Sequence, residues 1–280
     1  MMRNCFLPLL FALSVYSSCS SQDKILFKEI DSIKLYLETY YPETIEQNKD
    51  YPALIFFFGG GWKNGNRKHF LNHAKYFSKR GVVCFLADYR TESKNHTTPF
   101  ESLKDAKSAI RFLRKHASQF NIDKSKIIAL GGSAGGHLAA ATAFIDDYNE
   151  ATDDLSQDCR PNALILFNPV IDNGPGGYGY ERIGKNYKNF SPLHNIKKEA
   201  PPIVIFLGTE DQYIPVVTAQ YFQYVVEKIG GRCDLKLYQG EKHGFFNRNN
   251  FKLYKNTLLE ADKFLVSLRY LDTAPIIKIE

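Results

Sequence analysis

Five short apolar runs constrain this chain more than any other feature. They are A-L-I-F-F-F at 53–58, V-V-C-F-L-A at 82–87, K-I-I-A-L at 126–130, A-L-I-L-F at 163–167 and I-V-I-F-L at 203–207. A strand that is apolar at nearly every position is covered on both faces, as the strands of parallel sheets are. Between the runs lie segments with helical periodicity, at 66–80, 99–118, 134–147, 215–229 and, near the end, 251–268. The second of these places apolar residues at 103, 106, 109, 110 and 113 behind Pro99, a residue suited to a first helical turn. Residues 24–30 and 33–41 instead alternate apolar with polar, the pattern of half-exposed antiparallel strands. D-L-K-L-Y at 234–238 supplies a last strand. The alternation of strand and helix predicts an α/β fold, with a mostly parallel twisted sheet of about eight strands and helices on both faces.

The 280 residues, 44% of them hydrophobic, suffice for one sizeable core, so residues 24–280 are expected to form a single catalytic domain. Ahead of it, Arg3 precedes an apolar stretch over 5–16 that is too short to span a bilayer, followed by V-Y-S-S-C-S-S. Residues 1–18 therefore read as an export signal. Cys19 reads as the lipid-modified first residue of an exported, membrane-attached lipoprotein of the periplasm or outer membrane. The formal charge of +6 is scattered among acids with no basic stripe interleaved with aromatics, so nucleic acid is not an expected partner. Cys84 sits mid-strand, Cys159 and Cys233 are available to pair, and no Cys/His spacing suggests a metal site. Neither a metal nor another cofactor is expected.

In open α/β sheets ligands bind beyond the carboxyl ends of the strands, and four strand ends here carry chemistry. Residues 53–58 run into Gly59-Gly60-Gly61-Trp62, and 126–130 into G-G-S-A-G-G around Ser133. Residues 203–207 lead to Asp211, and 234–238 to His243 followed by Gly244. Serine, acid and histidine in that chain order, each just past a strand, suit an activated hydroxyl nucleophile. Ser133 would attack, His243 would take its proton, and Asp211 would hold the other ring nitrogen. Gly131 and Gly135 flank Ser133 where a Cβ would crowd a sharp strand-to-helix turn. The N–H groups of Gly60, Gly61 and Ala134 are the candidate oxyanion donors. Trp62 and Phe58 are candidates for the substrate pocket wall. Glu210 and Asp172 are competing acids, and His137 reads as a packing histidine. The glycine- and tyrosine-rich loop at 172–200 lies on the same side of the sheet. Its tyrosines suit either sugar stacking or surface packing.

With F-F-G-G-G-W, A-D-Y-R at 87–90, D-A-K-S-A-I-R at 105–111, G-G-S-A-G-G-H, S-P-L-H at 191–194, G-T-E-D and H-G-F-F, the chain resembles the HGGG-type α/β-hydrolase esterases. More closely, it is similar to an exported bacterial subgroup related to acetylxylan and feruloyl esterases, over most of residues 30–270. The resemblance implies metal-free, serine-dependent hydrolysis of small acyl esters, acetyl above all, on an oligosaccharide or other small molecule. It also favours Asp211 over Glu210. The chain departs from the family pattern at Phe58, where the usual histidine would stand. The alternatives are a serine peptidase of the same fold and a non-catalytic binding lipoprotein. No segment here has room for the propeller or larger second domain that such peptidases usually carry, and a binding module has no need of all three triad residues.

Overall fold

Each apolar run becomes a strand of one sheet, in a computed structural model that describes residues 23–46, 48–272 and Ile279. The strands are β1 (Lys24–Ile30), β2 (Ile33–Tyr40), β3 (Tyr51–Phe57), β4 (Val83–Ala87), β5 (Ile122–Gly132), β6 (Ala163–Phe167), β7 (Ile203–Gly208) and β8 (Cys233–Tyr238). Their order is β1-β2-β4-β3-β5-β6-β7-β8. The pairings of β1 with β2 and of β2 with β4 are antiparallel, and the remaining five are parallel. The expected leader over 1–18 and Cys19 lie outside the described residues.

Five longer helices cover the sheet: α1 (Leu71–Lys79), α2 (Pro99–Lys115), α3 (Ala134–Phe144), α4 (Val216–Lys228) and α5 (Phe251–Ser267). The period-2 geometry of a strand divides β3 between two cores. Ala53, Ile55 and Phe57 face a core shared with α2, α3 and α4, whereas Leu54 and Phe56 face one shared with α1 and α5. Helix α2 starts where the sequence places it, with a capping box between Thr98 and Glu101 and Pro99 in its first turn. The pattern over 66–80 resolves into two pieces, a 3-10 turn at Arg67–Phe70 capped by the Asn66 side chain and then α1. Strand β5 is longer than its apolar stretch, reaching from Ile122 to Gly132. Cys84, Cys159 and Cys233 are free and buried, so the pairing open to Cys159 and Cys233 is not made.

A buried ion network fastens the segment before β6 to the rest. The Asp105 carboxylate on α2 is fully buried. It accepts from Lys28 Nζ of β1 at 2.7 Å and from the Arg90 guanidinium in a two-pronged contact at 2.8 Å on each prong. Arg90 and Lys28 also reach Glu150, at 2.8 and 3.1 Å. Further along α2, Arg111 binds Asp153 at 2.7 Å and the Asn149 side chain at 2.6 Å. The sequence landmarks A-D-Y-R and D-A-K-S-A-I-R are thus two halves of one electrostatic joint.

Two predictions follow from buried groups. Asp105→Ala strands Lys28 and Arg90 in a dry site, so it is expected to cost about 3–5 kcal/mol, measured as the shift in a urea unfolding curve. The second concerns His73 and His137, both enclosed in the core, where burial pushes their pKa values down to about 3 from the ordinary value near 6.5. The unfolded chain takes up protons at these imidazoles before the folded chain does. Their contribution is therefore complete above pH 6.5 and is lost as pH falls toward 3. At pH 5 each histidine should cost about 2 kcal/mol relative to pH 7.5. His73→Phe should remove about half of that combined acid sensitivity in the same unfolding assay.

Candidate active site

The turn after β5 is built by what its glycines leave out. A Cβ at Gly131 would lie 2.1 Å from the Gly135 carbonyl oxygen, and one at Gly135 would lie 2.0 Å from that of Phe57 and 2.3 Å from that of Phe58. With those side chains absent, β5 passes directly into α3 through Ser133, whose backbone sits at φ 54°, ψ −121°. A positive φ at a non-glycine residue is strained and persists only where its surroundings enforce it. Here the Ser133 N–H donates to the Phe167 carbonyl at 2.9 Å, and the Ser133 carbonyl accepts from Val170 N at 3.1 Å and His137 N at 3.0 Å. The hydroxyl is thereby held at the strand end, at the N-terminus of a helix that no side chain caps.

The three residues singled out at separate strand ends meet here. Ser133 Oγ lies 2.9 Å from His243 Nε2, and His243 Nδ1 lies 2.8 Å from Asp211 Oδ2. The Asp211 side chain is fully buried, and its other oxygen accepts from the backbone N–H groups of Tyr213 and Ile214 at 2.9 and 3.0 Å. An acceptor at Nδ1 fixes the ring proton there and leaves Nε2 free to receive the serine proton. The competing acids are elsewhere. Glu210 is exposed, and Asp172 accepts from Gly174 N and lies 3.8 Å from His194. His137 is a core residue, its Nε2 within 2.9 Å of the Phe190 carbonyl.

Opposite the serine, the glycine loop is tied at several backbone atoms and left free at others. Tyr89 donates to the Phe58 carbonyl at 2.7 Å, Gly59 N–H donates to His69 Nδ1 at 3.4 Å, and the Gly60 carbonyl accepts from Lys63 N and Asn64 N at 3.0 and 3.2 Å. The Gly61 carbonyl accepts from Arg182 at 2.5 Å. Among the described residues the N–H groups of Gly60 and Gly61 have no acceptor, and both glycines line the cleft beside Ser133. Gly60 and Gly61 sit at φ 129° and 62°, conformations that favour glycine. Ala134 is the first residue of α3, so its N–H is among those a helix N-terminus leaves unpaired.

Two pocket candidates are corrected. Phe58 is buried and stacks on Tyr89 at 4.0 Å, and Trp62 is buried against His137, Tyr178 and Phe190; neither lines the cleft. Both rings pack into the core, and only the glycines between them face the serine. The walls are instead Tyr178, Tyr213, Asn64, His69, Asn168, Phe246 and Asn247, around a solvent-open space of about 270 Å³. Of these, Tyr178 belongs to the glycine- and tyrosine-rich loop, and Asn168 lies just past a strand end, where inspection of strand ends could have found it. Asn168 Oδ1 accepts from Gly244 N at 3.0 Å, and its Nδ2 lies 3.3 Å from His243 Nε2. Arg182, which packs over Trp62 at 5.2 Å, carries no local sequence signal. Among the described residues there is no group of three or more His, Cys, Asp or Glu side chains placed to hold a metal ion.

Sheet order, elbow and cleft define the α/β-hydrolase fold. Residues 37–175 match the BD-FAE family and residues 168–264 the dienelactone hydrolase family. An acetylxylan esterase of Xylanibacter ruminicola is 26% identical over 96% of this chain and 55% of its own length. A probable isoprenylcysteine alpha-carbonyl methylesterase of Arabidopsis thaliana is 26% identical over 74% of this chain and 48% of its own. The chain thus spans about half the length of the curated relatives it matches. Among solved structures, esterase 2 of Thermogutta terrifontis phosphoramylated by tabun is 39% identical, with a TM-score of 0.87, covering 90% of this chain and 97% of that one. The same esterase with propionate bound is 38% identical, with a TM-score of 0.85, over 91% and 97%. The chain belongs to the esterases of the α/β-hydrolase fold.

The elbow is sterically exact in one testable respect. Gly135→Ala would drive a methyl group into the backbone carbonyls of Phe57 and Phe58 at the end of β3, which no rotamer change relieves. The variant is expected to lose more than the about 1–3 kcal/mol typical of an overpacked core and most of its esterase activity, as read by thermal melting and by p-nitrophenyl acetate hydrolysis.

Proposed function

We propose that the protein is a serine carboxylesterase that removes small acyl groups, acetyl in particular, from carbohydrate. The observation that carries this reading is the unbroken hydrogen-bond line from Ser133 Oγ through His243 to the buried Asp211 carboxylate.

In this scheme His243 Nε2 takes the Ser133 proton as Oγ bonds to the ester carbonyl carbon, and Asp211 stabilises the imidazolium that forms. The carbonyl oxygen, now anionic, is met by the free N–H groups of Gly60, Gly61 and Ala134. Collapse of this intermediate breaks the bond to the alcohol oxygen, which leaves with the proton from His243. Water then attacks the acyl-serine with the same histidine as base, releasing the carboxylic acid and restoring the Ser133 hydroxyl.

Size and chemistry support a small acyl group on a hydroxylated alcohol. A space of about 270 Å³ falls just below the usual range for drug-sized ligands. The Gly132 side of the cleft is closed by Phe246, whose ring a Cβ at that glycine would meet at 2.9 Å. On the open side, the rings of Tyr178 and Tyr213 stand 5.5 Å apart, and Asn64 and Asn247 offer polar groups. Aromatic faces beside amide groups suit a sugar ring. The similarity to an acetylxylan esterase points the same way, while the propionate and butyrate complexes of esterase 2 accord with a short acyl chain.

Acetate release from acetylated xylo-oligosaccharides tests the proposal. Wild type should release acetate, and Ser133→Ala should lose at least about 10⁴-fold in kcat, since little remains once a triad nucleophile is removed. Ser133-dependent cleavage of p-nitrophenyl acetate without acetate release from the glycan would keep the esterase and remove xylan as its substrate. Inertness of the wild type on both would overturn the enzyme.

A further inference from the structure

The hydrogen bonds around the cleft form a second line that the triad does not use. Gly59 N–H donates to His69 Nδ1 at 3.4 Å, and His69 Nε2 lies 2.7 Å from Asn247 Oδ1. Asn247 Nδ2 donates to the Gly244 carbonyl at 2.8 Å, and Gly244 is the residue after His243. Because Nδ1 accepts, the ring proton sits on Nε2 and is donated to Asn247. The imidazole is clamped in that pose by ring stacking on Phe70 at 4.7 Å and on Phe246 at 6.0 Å. Accepting from Gly59 requires the neutral ring, which donates its one proton to Asn247. One side chain on the 3-10 turn Arg67–Phe70 therefore touches the loop of oxyanion donors on one side and, through Asn247, the turn that carries the base on the other.

From this geometry we infer that His69, bridged by Asn247, is a positioning residue that sets the Gly59–Gly61 backbone and the His243 turn in fixed relation to each other. The peptide whose N–H it holds, between Phe58 and Gly59, leads directly into the two unpaired N–H groups. Phe58 itself turns away to stack on Tyr89, so no side chain at that position steadies the loop from within. At the far end of the loop Arg182 fixes the Gly61 carbonyl. At the near end the Phe58–Gly59 peptide is held on both sides, by Tyr89 at its carbonyl and by His69 at its N–H, and only the His69 contact continues to the His243 turn. Misaligned donors stabilise the developing oxyanion less while leaving ground-state binding largely intact, so the effect falls on kcat. The inference rests on the assignment of Ser133 as nucleophile and of the glycine N–H groups as oxyanion donors.

Three substitutions at one position separate the parts of this role. His69→Phe keeps the stacking on Phe70 and Phe246 and removes both hydrogen bonds. His69→Asn places an amide oxygen near the Nδ1 position and so keeps the bond from Gly59. His69→Gln reaches toward Asn247 and loses Gly59. With p-nitrophenyl acetate, His69→Phe should lower kcat about 10- to 100-fold, change KM by less than about twofold, and leave the melting temperature within a few degrees of wild type. His69→Asn should recover most of kcat, and His69→Gln should resemble His69→Phe. The rate at which paraoxon phosphorylates Ser133 should fall in parallel, because that reaction also builds charge on an oxygen facing the glycine N–H groups. Should His69→Phe fail to fold, Asn247→Ala cuts the same line from its other end and should lower kcat in the same direction. An unchanged kcat in His69→Phe overturns the proposal, as does a rise in KM alone, or an Asn variant as slow as the Phe variant. Esterase activity that survives Ser133→Ala is a different result: it overturns the nucleophile assignment and, with it, the basis for this role.

Discussion

The contact on which the site depends is a steric one, the approach of α3 to the carbonyl oxygens at the end of β3. At Gly135 the space a side chain would need is filled by the oxygens of Phe57 and Phe58. That proximity forces the reversal at Ser133, sets its backbone at positive φ, and brings the start of a helix against the loop that follows β3. The nucleophile and the free N–H groups opposite it are adjacent because two central strands, β3 and β5, pair in parallel with Phe57 opposite Gly131. A one-residue slip in that register would turn every side chain of β5 to the other face and carry the serine away from the loop.

Around this contact the protein spends its polar side chains on fixing backbone. Arg182, Tyr89 and His69 each bind a main-chain atom of the glycine loop, and Asn168 binds that of the histidine turn. A backbone without side chains is free to present its N–H groups but loses the most conformational entropy on ordering. Long side chains from distant elements supply the hold that glycine cannot. The Asp105 network plays a related part further out. It fastens the polar segment 146–160, between α3 and β6, to β1, to Arg90 and to α2. Its buried charges are tolerable only because each is met by more than one partner.

Much of this was legible before any coordinates. All eight strands lie within a few residues of their expected places, the five buried ones because fully apolar runs have few alternatives and the others because their alternation marks one covered face. The order serine, aspartate, histidine at strand ends pointed to Ser133, Asp211 and His243, and the distances between them are hydrogen-bond distances. The pocket walls were less legible. Phe58 and Trp62 were favoured because they flank the glycines, yet both side chains are buried away from the cleft. Direction of projection at a turn depends on φ and ψ at each residue, and Trp62 sits at φ 58°, which no local pattern announces. His69 and Arg182 were missed for a different reason. Each reaches the loop through folding alone, from a residue type and position with no periodic or spacing signal.

What the sequence determined by itself is a local order: apolar runs that must be covered on both faces, a serine set among glycines at a strand end, and three reactive side chains each placed just past a strand. These are local consequences of residue size, polarity and order, and they survive without knowledge of any neighbour. What only the tertiary structure decided is which polar atom meets which. The cleft walls, the hold on the glycine loop and the buried joint at Asp105 join residues from 10 to 178 positions apart, or fall within segments with no pattern of their own. Such pairings depend on three-dimensional distance and on the geometry of hydrogen bonds.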